Sequence, residues 1–78
     1  MATRTPNPVT LAFGANLRAA RQAKGWSLEG LGERSGLHWT YIGQVERGSR
    51  NVSLINIVRL AQALAMPPED LFAGIGHG

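Results

Sequence analysis

The sequence predicts an all-α domain, a compact bundle of about five short helices, and three observations predict it. Apolar residues recur at helical spacing, as at Ile57, Ala61 and Leu64, and no segment alternates with period two over strand length. Glycine or proline closes each periodic stretch, with serine or threonine standing ahead of most of them. The chain has 78 residues, against about 150 for a typical domain, so one small core is expected.

The elements follow in order. Residues 1–9 hold two prolines and little apolar content and read as a flexible arm. Thr10 is expected to cap a first helix through Phe13, Leu17, Ala20 and Arg21 to Lys24, which Gly25 stops. Trp26 and Phe13 are expected in the core. Ser27 suits the N-cap of a second helix, Leu28 to about Arg34, with Ser35-Gly36 as the turn after it. A third helix is expected from about His38 to Arg47, with Ile42 and Val45 inward and Gly48 at its end. Ser53 caps a fourth, Leu54 to about Ala65, whose buried face reads as Leu54, Ile57, Val58, Ala61 and Leu64. Pro67-Pro68 breaks the chain before a fifth short helix carrying Leu71 and Phe72. The domain is thus expected over 10–73, with 74–78 a glycine-rich tail.

Composition narrows the function. The hydrophobic fraction of 44% and charged fraction of 17% indicate a globular chain rather than a disordered one. There is no cysteine, so no disulfide or thiolate–metal framework. Net charge is +3, which favours an anionic partner such as nucleic acid. No apolar run approaches the roughly 18 residues of a membrane span, and Met1–Thr10 lacks a signal core, so no membrane partner and a cytoplasmic location are expected. His38 and His77 cannot assemble the three or four clustered ligands that zinc needs, and no metal or other cofactor is expected. Gly30-Leu-Gly-Glu-Arg-Ser-Gly36 has a nucleotide-loop look, but it lies inside a helical pattern with no strand before it. Glu69-Asp70 are helix-end charges without a third catalytic group, and no nucleophile, base or metal set supports an enzyme.

The second and third helices carry the signal. Two short helices around a tight glycine turn make a helix-turn-helix unit, whose second helix enters the DNA major groove N-terminus first. Here that start is His38, Trp39, Thr40 and Tyr41, with Gln44 one turn on, all polar or aromatic beside the apolar Ile42 and Val45. These five are the candidate base-contacting residues.

From Phe13 to Phe72 the chain resembles the phage-repressor and Cro-like (Xre-type) domains, the lambda-repressor-like fold. Leu31, Gly36, Ile42, Glu46-Arg47-Gly48, Ile57, Ala61 and Leu64 carry the resemblance. Thr40-Tyr41-Ile42 with Glu46-Arg47-Gly48-Ser49-Arg50-Asn51-Val52-Ser53 is most similar to controller proteins of restriction–modification systems. The resemblance implies a transcription regulator on a two-fold symmetric operator of double-stranded DNA. It implies base contacts from Trp39, Thr40, Tyr41 and Gln44, backbone or loop contacts from Ser27, Arg50 and Asn51, and a buried Arg21–Glu46 salt bridge. Arg47 is a further candidate for phosphate. A homodimer is implied, using the last two helices. Apolar residues left over by a small core point the same way, and Ile55, Leu60, Leu71, Phe72 and Ile75 are the candidate interface.

Three positions depart from the family pattern. Leu28 stands where a phosphate-binding glutamine is common, Gly32 where alanine is usual, and Trp39 where controllers often carry arginine. Tryptophan cannot bind guanine bidentately, so it would meet a thymine methyl or a sugar edge instead. The alternative reading is an antitoxin or adaptor module that binds a protein partner through the same fold. Activation would require a contact with RNA polymerase, and no residue identifies one.

Overall fold

The computed structural model describes residues 5–76. Four α-helices, α1 (Pro8–Ala23), α2 (Leu28–Ser35), α3 (Trp39–Glu46) and α4 (Leu54–Ala63), precede a 3-10 helix at Pro68–Phe72. No strand occurs among the described residues. The all-α expectation therefore holds, with the fifth element a single tight 3-10 turn rather than an α-helix. No helix among the described residues is long and apolar enough to cross a membrane.

The first helix begins earlier than Thr10. Asn7 is its N-cap, its Oδ1 accepting from the N–H groups of Val9 and Thr10 at 2.9 and 3.1 Å. Thr10 Oγ1 returns the favour by accepting from the Asn7 N–H at 2.9 Å, a reciprocal capping box. Pro8 sits in the first turn, where its missing N–H is no loss. The prolines that suggested an arm thus include a helix-starting one, and residues 8 and 9 belong to the domain. Met1–Arg4, His77 and Gly78, with the rest of the arm and tail expectations that rest on them, lie outside the described residues.

The remaining caps fall where the sequence puts them. Ser27 Oγ accepts from Gly30 N–H at 3.0 Å, and Ser53 Oγ from Asn56 N–H at 3.1 Å. His38 caps α3, its Nδ1 accepting from Thr40 N–H at 3.1 Å. Gly36 ends α2 with φ +77°, the left-handed conformation that lets the chain turn back into α3. Gly32 lets that turn close tightly, since a Cβ there would lie 2.8 Å from the Leu37 carbonyl oxygen.

One core joins all five elements: Phe13 and Leu17 from α1, Leu31, Ile42 and Val45, then Ile57, Leu60, Ala61 and Leu64 from α4, and Leu71. Leu71 is held in place from outside, as Asn16 Nδ2 donates to the carbonyls of Leu71 and Ala73, both at 2.9 Å. Trp26 is only partly buried against this core, and Arg34 covers its ring at 4.0 Å from the centroid.

The α4 face differs from the expected one. Ile57, Leu60, Ala61 and Leu64 point inward, while Leu54 and Val58 join Ile55 on the solvent side. The inward set and the first four of the expected one, Leu54, Ile57, Val58 and Ala61, both fit an i, i+3, i+4, i+7 pattern, and an α4 apolar on both sides cannot be oriented by period alone.

Past α4 the chain turns through Ala65 at φ +54°. Its N–H bonds to the Gln62 carbonyl at 3.1 Å and that of Met66 to Ala61 at 3.0 Å, a Schellman closure with alanine where glycine is usual. Left-handed backbone costs an alanine roughly 1–2 kcal/mol, partly offset by its lower unfolded-state entropy. Ala65→Gly is expected to stabilise the domain by about 0.5–1 kcal/mol, read as a higher melting temperature in circular dichroism. A lower one would mean the turn is unstrained.

Candidate nucleic-acid interface

The N-terminus of α3 is the most exposed stretch of the helix-turn-helix unit. His38, Trp39 and Thr40 are all exposed, Trp39 to 45%, while Ile42 and Val45 are buried beneath them. Gln44 lies one turn beyond Thr40, half-buried, on the same flank of α3. The His38 ring stacks on Trp39 with centroids 5.8 Å apart and 27° between planes. His38 Nδ1 accepts from the Thr40 N–H and lies 2.5 Å from Thr40 Oγ1, which leaves Nε2 at the other edge of the ring.

Tyr41 differs from these neighbours. It is half-buried, and its hydroxyl oxygen accepts from Asn56 Nδ2 at 3.1 Å, tying α3 to α4. Arg50 lies over its ring, guanidinium to centroid 5.2 Å. Tyr41 therefore links the start of α4 and the Arg50–Asn51 loop to the recognition helix. Asn56 has no signal in the sequence, since nothing local says that a tyrosine fifteen residues away will reach it.

Arg47, Arg50 and Asn51 are exposed at and after the end of α3, and Ser27 is exposed at the start of α2. Among the described residues, every cation except Arg59 falls in residues 18–50, whereas Glu69 and Asp70 sit on the 3-10 helix. Residues 18–50, which include α2 and α3, thus carry the excess of positive charge even with Glu29, Glu33 and Glu46 among them. One flank is different: Glu29 and Glu33 line a recess beside His38 and Trp39, and that side repels phosphate.

Beneath the surface, Arg21 Nε donates to Glu46 Oε2 at 2.7 Å and Nη2 to Oε1 at 2.9 Å, a bidentate pair joining α1 to α3. Arg21 Nη1 also donates to the Trp26 carbonyl at 2.8 Å. The hydrogen bond to Glu46 raises the Arg21 pKa further above its usual range, against desolvation and with help from the Glu46 charge.

The expected self-association residues divide. Leu60 and Leu71 are fully buried in the core and cannot line an interface. Ile75 is half-buried against that core. Ile55 is 69% exposed and Phe72 39%, and two residues assigned to the buried face, Leu54 at 80% and Val58 at 42%, join them outside.

A Helix-turn-helix family model, HTH_3, matches residues 17–71, which spans everything from the middle of α1 to the 3-10 helix. The chain belongs to the helix-turn-helix family. Within that family it is 45% identical over 74 residues to the control protein C.BamHI of Bacillus amyloliquefaciens, covering 91% of each chain. It is 53% identical over 49 residues to the control protein C.SmaI of Serratia marcescens, covering 63% of this chain and 58% of that one. The crystal structure of the restriction-modification controller protein C.AhdI from Aeromonas hydrophila superposes with a TM-score of 0.80 at 54% identity, over 81% of this chain and 96% of that one. The resemblance to controllers read from Thr40–Ile42 and Glu46–Ser53 agrees with these relatives.

Proposed function

We propose that this helix-turn-helix protein is a sequence-specific transcription regulator that binds double-stranded DNA as a homodimer, of the controller kind its relatives represent. The observation that carries the reading is the division of α3. Its buried side anchors the helix through Ile42 and Val45, and its outer side offers an imidazole, an indole, a hydroxyl and an amide in sequence. Those are groups that read base edges and thymine methyls. Ser27, Arg47, Arg50 and Asn51 surround that strip as backbone contacts, which set register and supply most of the salt-dependent affinity.

Selection of binding sites from random duplex DNA tests this directly. The expected result is a two-fold symmetric consensus whose half-sites lie about one helical turn, 34–36 Å, apart. Binding without a consensus, lost at moderate salt, would favour the adaptor or antitoxin reading.

The homodimer is supported by the outer face of α4. Leu54, Ile55 and Val58 lie together on the outer face of α4 beside Arg59 and Gln62, and monomeric domains rarely leave an extended apolar patch to water. Ile55→Asp is expected to raise the dimer dissociation constant by about a hundredfold or more while the monomer melts as before, because Ile55 is 69% exposed. Sedimentation equilibrium reads the first and circular dichroism the second. An unchanged dimer would place the interface elsewhere.

A further inference from the structure

Arg18 is an exposed residue of α1, one turn before Arg21. With Arg21, Leu28, Gly43, Glu46 and Arg47 it lines a recess of about 240 Å³ where α1, the first turn of α2 and the end of α3 meet. Arg21 and Glu46 neutralise one another within it. The charge left over belongs to Arg18 and Arg47, two exposed guanidinium groups delivered from different elements to one concavity.

The local packing keeps Arg47 there. A Cβ at position 43 would stand 3.3 Å from Arg47 Nη1 and 3.5 Å from Leu28 Cδ1. With glycine at 43, the guanidinium lies against the α3 backbone beside Leu28 rather than extending away from it. Leu28 itself offers no donor, so the residue at the start of α2 cannot hold an anion through its side chain. Fork-shaped donors over a neutralised floor suit a tetrahedral oxyanion, and arginine is the side chain that grips phosphate through several parallel N–H groups.

We propose that Arg18 and Arg47 clamp a single phosphodiester of the bound duplex, making Arg18 a DNA-backbone contact. The inference rests on the DNA-binding reading above and extends it to α1, outside the helix-turn-helix unit.

The test measures affinity for the selected duplex and for a scrambled duplex over a range of salt concentrations. Each neutralised phosphate contributes about 0.9 to the slope of log K against log salt. Arg18→Gln is expected to flatten that slope by about 0.9 and to weaken both duplexes by a similar factor, about threefold to tenfold at low salt. Its melting temperature stays near that of the parent, since Arg18 is exposed. The double variant Arg18→Gln/Arg47→Gln is expected to lose little more slope than either single one, because the phosphate is held only when both guanidinium groups grip it and either loss alone releases it. Arg34→Gln removes the same charge from a guanidinium stacked on Trp26, and its slope is expected to stay at the parent value. An unchanged slope for Arg18→Gln overturns the clamp, as does an equal loss for Arg34→Gln, which would make the effect one of net charge. A double variant with twice the single loss assigns the arginines to separate phosphates and overturns the shared site. If the parent protein binds no duplex at all, the DNA-binding reading fails first and the clamp falls with it.

Discussion

Gly14→Ala is expected to cost about 2–4 kcal/mol of folding stability, although alanine is the better helix former by about 1 kcal/mol. A Cβ on Gly14 would stand 2.4 Å from the carbonyl oxygens of both Val45 and Glu46 and 2.8 Å from the Glu46 carbonyl carbon, where real Cβ atoms do not come closer than 3.0 Å. Every one of those atoms is backbone, so no rotamer change relieves the clash. The end of α3 must move away from α1. That movement drags on Glu46, whose carboxylate is held by Arg21, and on Val45, which is buried in the core and whose carbonyl closes the turn to Gly48 at 3.0 Å. For a domain of this size the loss corresponds to a fall of about 10–25 °C in melting temperature. It should be measured at matched protein concentration, because a dimer's melting point depends on it. A melting temperature within a few degrees of the parent would show that α1 and α3 can separate by an ångström at little cost. The approach at Gly14 would then not be a constraint on the fold.

Gly14 also shows where sequence reading reaches its limit. Local signals were legible because their physics is local. Ser27 and Ser53 cap helices with their own oxygens, and Gly36 turns the chain through its own φ. The helix-turn-helix unit is built almost wholly from such features, so α2, α3 and the outer strip of exposed His38, Trp39 and Thr40 with half-buried Gln44 are legible in the sequence. What escaped depends on elements far apart in sequence. Gly14 looks like a weak point in a helix until α3 is laid across it. Leu60 and Leu54 are alike in type, and only the placement of α2 and the 3-10 helix on α4 sends the first inward and the second outward. The first turn of α1 is a different case. Asn7-Pro8 is as good a start signal as Thr10, but Pro6 and Pro8 so close together also carry a loop signal, and Pro8 in fact takes the first helical position. Tyr41 combines both kinds, since its place on α3 follows from spacing while its bond to Asn56 does not.

Glu46→Ala is the other change of large effect, expected to cost about 3–5 kcal/mol. The side chains of Arg21 and Glu46 are only 12% and 6% exposed, so neither charge has much water to fall back on. Removing the carboxylate leaves a guanidinium that cannot lose its proton, with two of its three hydrogen bonds gone and only the Trp26 carbonyl remaining. The penalty is that of an unpaired buried charge, larger than the net worth of the pair itself. Replacing both partners by apolar residues, Arg21→Met with Glu46→Leu, is therefore expected to be less damaging than Glu46→Ala alone, and the double-mutant cycle gives a coupling energy of about 1–3 kcal/mol. Function separates this from a DNA-contact role. Glu46 lines the floor of the recess between Arg18 and Arg47, paired with Arg21, and carries the wrong sign to hold a phosphate itself. At a temperature where the variant is still folded, its operator affinity is expected to stay within about threefold of the parent, less than the 1–3 kcal/mol that a lost base contact removes. As the variant approaches its lowered melting point, binding and helical signal should fall together. Lost binding in a protein that melts normally would reverse the assignment and make Glu46 part of the DNA interface rather than the tie that holds α3 against α1.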